Sequence, residues 1–159
     1  MTPEQTLKLV QHQLAAMQQA KTSSVKVGLP AGETATSKAY TNDGAGPAPT
    51  VLEVGIWHEY GTARVPMRSF LRGPLQMKRA ELALAIQTQF NLVLEAGMAV
   101  DKALGRVGLA ARNISVGAFR SKGYGAWPDI ERSTKDAKGS SGVLIDTGIL
   151  RNAITWVVE

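Results

Sequence analysis

The feature that most limits the fold of this chain is a ten-member apolar stripe. Leu82, Ile86, Phe90, Val93, Gly97, Val100, Leu104, Val107, Ala111 and Ile114 follow one another at steps of three and four. That spacing keeps one side of a helix facing one partner. Continuous from about residue 74 to 116, such a helix would measure roughly 60 Å at ~1.5 Å per residue. A compact chain of 159 residues has a radius of gyration of about 15 Å, hence a diameter of roughly 40 Å. The helix therefore breaks, at Gly97 or around Gly105 and Gly108, or it projects onto other subunits. Each glycine already costs about 1 kcal/mol relative to alanine inside a helix, and Gly73-Pro74 starts or bends it because proline lacks the amide donor. The expectation is a kinked helix pair whose stripe is core, in an oligomer.

The elements before it are read from local chemistry. Thr2-Pro3-Glu4-Gln5 combines a cap residue, a proline at the first helical position and a capping-box partner. Leu7, Val10, Leu14 and Met17 then mark an amphipathic helix ending near Ala20 or Lys21, and the stripe is read as core packing. Val25, Val27 and Leu29 alternate with Lys26 and Gly28, a strand closed by Pro30. About 30–50 the chain is rich in Gly, Ala, Thr and Pro, a mobile loop unless Thr36 to Thr41 form a weak hairpin arm.

Next comes VLEVGIWHEYGTARVPMRSFL, residues 51–71. Thr50 and Glu53 form a second capping box. Leu52, Ile56 and Tyr60 share one helical face, and Gly61 stands where a left-handed stop needs a residue without Cβ. The alternation of Leu52, Val54 and Ile56 keeps a strand open as the other reading. His58-Glu59 begins like the zinc motif H-E-x-x-H, but the second ligand position is Thr62. The other histidine is His12, far upstream, and the chain has no cysteine, so no metal site is read here.

The last third, about 117–142, reads as a second mobile loop, polar and glycine-rich. Trp127 is expected to pin it to the domain rather than to stack a base. Gly105-x-x-Gly108 and Gly123-x-Gly125 lack the preceding strand and the Lys-Ser/Thr of a phosphate loop. Asp146 or Thr147 is expected to cap one helical turn through Ile149, Leu150 and Arg151. Ile154, Trp156 and Val158 then alternate as a terminal strand, expected to pair with residues 25–29. These elements together give an α+β fold, one domain over 1–159, with an N-terminal helix and a long kinked helix on a small, mostly antiparallel sheet.

Two separated motifs resemble those of the tail-completion or neck components of long-tailed bacteriophages. HEYGT is followed by Pro66, Arg68, Ser69, Phe70, Leu71 and Arg72, which is similar to the family's E-[FY]-G-T and P-x-R-x-F-[LI]. Leu144, Ile145, Asp146, Thr147, Gly148, Ile149, Leu150 and Arg151 resemble its L-[IV]-D-T-G-x-L-[RK]. The resemblance implies a structural virion protein, assembled in the host cytoplasm, that catalyses no reaction and holds no cofactor. It implies a homo-oligomeric ring, six-fold to match tail symmetry or twelve-fold on the portal side, capping the tail tube at the head–tail junction. Its neighbours would be tail-terminator, tail-tube or head-connector proteins, with DNA passing through the lumen. Glu59, Gly61, Thr62, Pro66, Arg68, Phe70, Asp146, Thr147, Gly148, Leu150 and Arg151 are the motif positions concerned. They build either the monomer's core and turns or its interfaces. Arg68 and Arg151 are expected to reach a carboxylate, with Glu59 and Asp146 the nearest kind of partner.

Charge keeps a second class open. Of the net +5, the stretch 64–122 carries +7, with ten Lys or Arg against Glu81, Glu95 and Asp101. A basic face attracts polyanions, so a nucleic-acid-binding protein is the competing reading. No run approaches a membrane span, and the first residues lack the basic start of a signal peptide. A hydrolase built on His58 and Glu59 would lack a nucleophile and oxyanion donors.

Overall fold

A computed structural model describes residues 2–30, 49–129 and 148–159 of the chain. The order of elements is α1 (Pro3–Thr22), β1 (Val25–Gly28), α2 (Val51–Tyr60), α3 (Arg72–Met77), α4 (Arg79–Ala96), α5 (Val100–Arg120), α6 (Ile149–Asn152) and β2 (Thr155–Val158). The fold is α+β, helices with a two-stranded antiparallel sheet. Ser24 and Glu159 fix its register by exchanging both backbone bonds, at 2.6 and 2.9 Å. That reciprocal pattern belongs to an antiparallel pair. The expected loop at 30–50 falls largely, and that at 117–142 partly, outside the described residues, and Asp146 and Thr147 lie wholly outside them.

Both capping boxes form. Thr2 accepts from the Gln5 amide while the Gln5 side chain accepts from the Thr2 amide, and Thr50 with Glu53 repeats the arrangement. Where a kinked helix pair is expected, the segment after Pro66 forms three helices, the short α3 preceding the pair α4 and α5. Lys78 separates α3 from α4, and α4 ends at Gly97, whose φ of +68° is open to a residue without Cβ. Of the break positions expected, Gly97 is the one used, and none occurs around Gly105 and Gly108, because α5 runs through both. Gly108 serves a different purpose. A Cβ there would sit 2.3 Å from Trp156 Cδ1 and 2.9 Å from Val25 Cγ2, so the glycine lets α5 lie directly on the two strands.

The chain groups into two compact units. The first comprises Met1–Val27, Arg79–Ala111 and Trp156–Glu159. Its core is Ala16, Val93, Val100, Ala103 and Leu104, bordered by Phe90, Met98 and Val158. Here the reading of the α1 stripe as core is corrected. Leu7, Val10, Leu14 and Met17 are all exposed, and Ala16 is the buried residue of α1. The inward side of α1 joins small apolar residues, Ala16 and Ala20, to polar anchors: His12 Nε2 lies 3.2 Å from the Val93 carbonyl oxygen, and Gln13 Nε2 donates to that of Leu94. The long stripe is core from Val93 through Val100, Leu104, Val107 and Ala111, whereas Ile86 is exposed.

The second unit comprises Gly28–Lys78 and Arg112–Thr155. The helical reading of α2 holds, but its buried face is Val51, Gly55 and Glu59, while Ile56 and Tyr60 of the expected face are exposed. Gly55 meets Leu29 and Leu150 where a Cβ would stand. The helix α5 continues past Gly117 to Arg120, so the expected loop starts later. Tight turns follow, in which the Tyr124 hydroxyl donates to the Ile114 carbonyl at 2.8 Å. Gly148, with φ of +73°, is itself the N-cap of α6, and the expected caps Asp146 and Thr147 lie outside the described residues.

Candidate functional site

The described motif residues fall in the second unit, and residues 69–72 gather about one carboxylate. Glu59 leaves the last turn of α2 on its buried face, because Val51 and Gly55 occupy the same stripe one and two turns earlier. Its Oε2 accepts the amides of Phe70 at 2.8 Å and Leu71 at 3.0 Å. Its Oε1 accepts the Ser69 hydroxyl at 2.8 Å and the Arg72 amide at 3.0 Å. The Ser69 hydroxyl oxygen in turn accepts the Gly73 amide at 2.7 Å. Leu71, at the N-cap of α3, makes no side-chain cap bond of its own. Glu59 therefore caps α3 from another helix, supplying charge-assisted bonds to donors that a helix start leaves without partners.

The turn between the two helices is self-closing. Gly61 has φ +77° and ψ 163°, extended on the positive side and not left-handed helical as expected. A Cβ there would meet the Met67 backbone nitrogen at 3.1 Å. The Thr62 hydroxyl accepts the amides of Arg64 and Val65, and Thr62 N donates to Val65 O at 2.8 Å. Pro66 is exposed in this turn. The Arg68 amide then returns to the His58 carbonyl at 2.7 Å.

Arg68 does not reach Glu59. Its side chain is buried and donates from Nε to the Pro128 carbonyl and from Nη2 to the Asp129 carbonyl, each at 3.2 Å. Burial holds its guanidinium below the ordinary range, and the charge of Asp129 opposes this. The reason for the difference is capacity: the four acceptor directions of Glu59 are already taken by backbone and Ser69. Arg151 meets Asn152 Oδ1 at 3.4 Å rather than Glu59, and Asp146, the other expected partner, lies outside the described residues.

Phe70 is the apolar counterpart of Glu59. It is fully buried, with its ring 5.6 Å from that of Phe119, which meets Trp127 edge-on at 5.6 Å. Trp127 Nε1 donates to the Ser69 carbonyl at 2.8 Å, so the tryptophan pins its turn to the site. Leu150 is buried on α2 beside Gly55. The later motif, through Leu150, thus packs on the helix that carries the earlier one.

Ser69, Gly55, Phe119 and Trp127 belong to this arrangement without having been read as site residues. Gly55 has a sequence signal, lying four residues before Glu59, and Ser69 sits inside the motif as its variable position. Around the turn, Ile56, Trp57, Tyr60 and Met67 are exposed, and the Arg72 guanidinium lies 5.3 Å from the centre of the Tyr60 ring. Among the described residues no group of three His, Cys, Asp or Glu could hold a metal ion. No described helix is long and apolar enough to cross a membrane. No family model, curated protein or solved structure matches the chain.

Proposed function

We propose that this protein is a structural component of a tailed-phage virion, a tail-completion or neck protein that assembles as a ring at the head–tail junction. The observation that carries the reading is the fate of Glu59. The most chemically capable group of the motif has both oxygens engaged twice, by three backbone amides and a serine hydroxyl. A carboxylate so occupied has no lone pair left to act as a base. It makes a rigid crossing, and beside that crossing the chain exposes Ile56, Trp57, Tyr60 and Met67. Aromatic residues, methionine and arginine are the types enriched at protein interfaces. A head-to-tail contact through such a patch closes into a ring when its rotation allows.

The nucleic-acid reading gains less support. Of the ten cations between 64 and 122, Arg68 and Arg112 donate to backbone carbonyls, Arg106 to Gln89, and Lys122 pairs with Asp129. Arg72 and Lys78 lie over tyrosine rings. Cations committed to internal partners are less available to phosphates.

Negative-stain imaging with light scattering of the purified chain, alone and with tail tubes, tests the proposal. Rings of defined subunit number are expected, lost in Tyr60→Ala and Trp57→Glu variants that keep their helical content. Phage particles lacking the protein that still join heads to tails would overturn it.

A further inference from the structure

We infer that the exposed face of α1 binds a second copy of this chain, helix against helix and antiparallel. Leu7, Val10, Leu14 and Met17 stand at steps of three, four and three along α1, and each is between 44 and 57 % exposed. A seam of that spacing is the a/d pattern by which helices pair knob into hole. Four large apolar side chains in one unbroken line on a helix are more than the scattered exposure ordinary on a protein surface. At its C-terminal end the seam runs into an apolar groove of about 370 Å³, lined by Ala16, Met17, Ala20, Phe90, Val93 and Leu94 with Lys21.

Charge selects the occupant and its direction. Of the positions flanking the seam, Gln13 and Ala20 lie on the side packed within the chain, and Thr6, Gln11 and Gln18 on the open side carry no charge, so identical helices meet without repulsion. The charges of α1 are Glu4 and Lys8, which pair with each other at 3.0 Å near its start, and Lys21 in its last turn. Parallel pairing would set Glu4 on Glu4 and Lys21 on Lys21. Antiparallel pairing, centred on residue 12, sets Leu7 against Met17 and Val10 against Leu14, separates the two Lys21 side chains, and brings each beside the Glu4 carboxylate of the other copy, which it would share with Lys8. It also opposes the two helix dipoles favourably. Such a contact is isologous, distinct from the head-to-tail contact of a ring, and it stands whether or not the ring reading does.

The seam is shorter than three heptads, so the association is weak and concentration-dependent, with a dissociation constant on the order of micromolar. The full chain contains no cysteine, which allows a direct test. Val10→Cys and Leu14→Cys variants are prepared separately, mixed, and treated with a short thiol-to-thiol cross-linker. Antiparallel pairing yields chiefly the mixed Val10→Cys/Leu14→Cys product. Chiefly like-with-like products, or none at concentrations well above micromolar, would overturn the inference. In parallel, Leu14→Glu should leave helical content and melting temperature unchanged, since Leu14 is exposed, and weaken self-association at least tenfold by sedimentation. Unchanged self-association would overturn it too.

Discussion

The Glu59 carboxylate accepts the Phe70 amide proton at 2.8 Å across eleven residues of chain. One side chain thereby joins the end of α2 to the start of α3, and the same residue whose amide is held buries its ring against Phe119. Polar cap and aromatic core are two ends of one residue, so neither can shift without the other.

Glutamine is therefore a poor substitute for Glu59, although it has nearly the same shape. A carboxylate presents acceptors on both oxygens, whereas an amide turns an NH2 toward donors that are also N–H groups. Either Phe70 and Leu71, or Ser69 and Arg72, would face a donor with no acceptor. Losing charge-assisted bonds and leaving buried donors unsatisfied costs about 3 kcal/mol. Glu59→Gln should destabilise nearly as much as Glu59→Ala, a fall of roughly 10 °C in melting temperature for a chain of this size. Calorimetry of the two variants checks this. A mild effect of glutamine alone would mean that charge and the second acceptor are dispensable.

Two glycines three residues apart on α5 should respond with opposite signs. Around Gly105 a Cβ meets nothing within 4 Å, so Gly105→Ala should stabilise by up to about 1 kcal/mol through helix propensity. At Gly108 the added carbon would lie 2.6 Å from Trp156 Cγ. Overpacking typically costs about 1–3 kcal/mol, which outweighs the propensity gain, so Gly108→Ala should destabilise and alter Trp156 fluorescence. Chemical denaturation of both variants decides it.

What the sequence discloses follows the range of the interactions. Capping boxes link residues three apart, so Thr2 with Gln5 and Thr50 with Glu53 are readable without any knowledge of the rest of the chain. The first and last strands are readable from alternation, whereas their pairing is fixed by the backbone bonds between Ser24 and Glu159. The buried face of α2 is not. Hydrophobicity selects Leu52, Ile56 and Tyr60, and nothing local shows that Glu59 can be buried, because the amides that make it possible belong to residues 70–72. On α1 the same rule misleads in the other direction. Ala16 turns inward because the side facing Val93 is close, and the larger Leu7, Val10, Leu14 and Met17 are left outside. The role of Gly108 depends on Trp156, 48 positions later, which no periodicity reveals.

Ser115 should be improved by removing its hydroxyl. The residue is fully buried, and its Oγ has no hydrogen-bond partner among the described residues. An unsatisfied buried hydroxyl costs about 1–3 kcal/mol, and alanine is also the better helix former. Ser115→Ala should raise stability by about 1 kcal/mol in denaturant unfolding. A loss instead would show that the hydroxyl is satisfied in solution by water or by another part of the chain.

The start of α2 should loosen in acid, in a direction set by Glu53. Its carboxylate accepts the Thr50 amide at 2.8 Å and the Thr50 hydroxyl at 2.9 Å. The amide bond chiefly, and the hydroxyl bond next, hold its pKa below the ordinary value of 4.5. A carboxyl whose folded value is depressed contributes its stabilisation fully above the unfolded value and loses it as pH falls through the folded one. Protection of the first-turn amides of α2, including the Val54 amide bonded to Thr50 O at 3.1 Å, should therefore be constant near neutrality and decline below about pH 4.5. Glu53→Gln keeps an oxygen acceptor without a titrating group, so its protection factors should be lower at neutral pH and flat over the same range. Hydrogen exchange resolved by residue separates the two, and a parallel decline in both proteins would assign the acid response to another carboxyl.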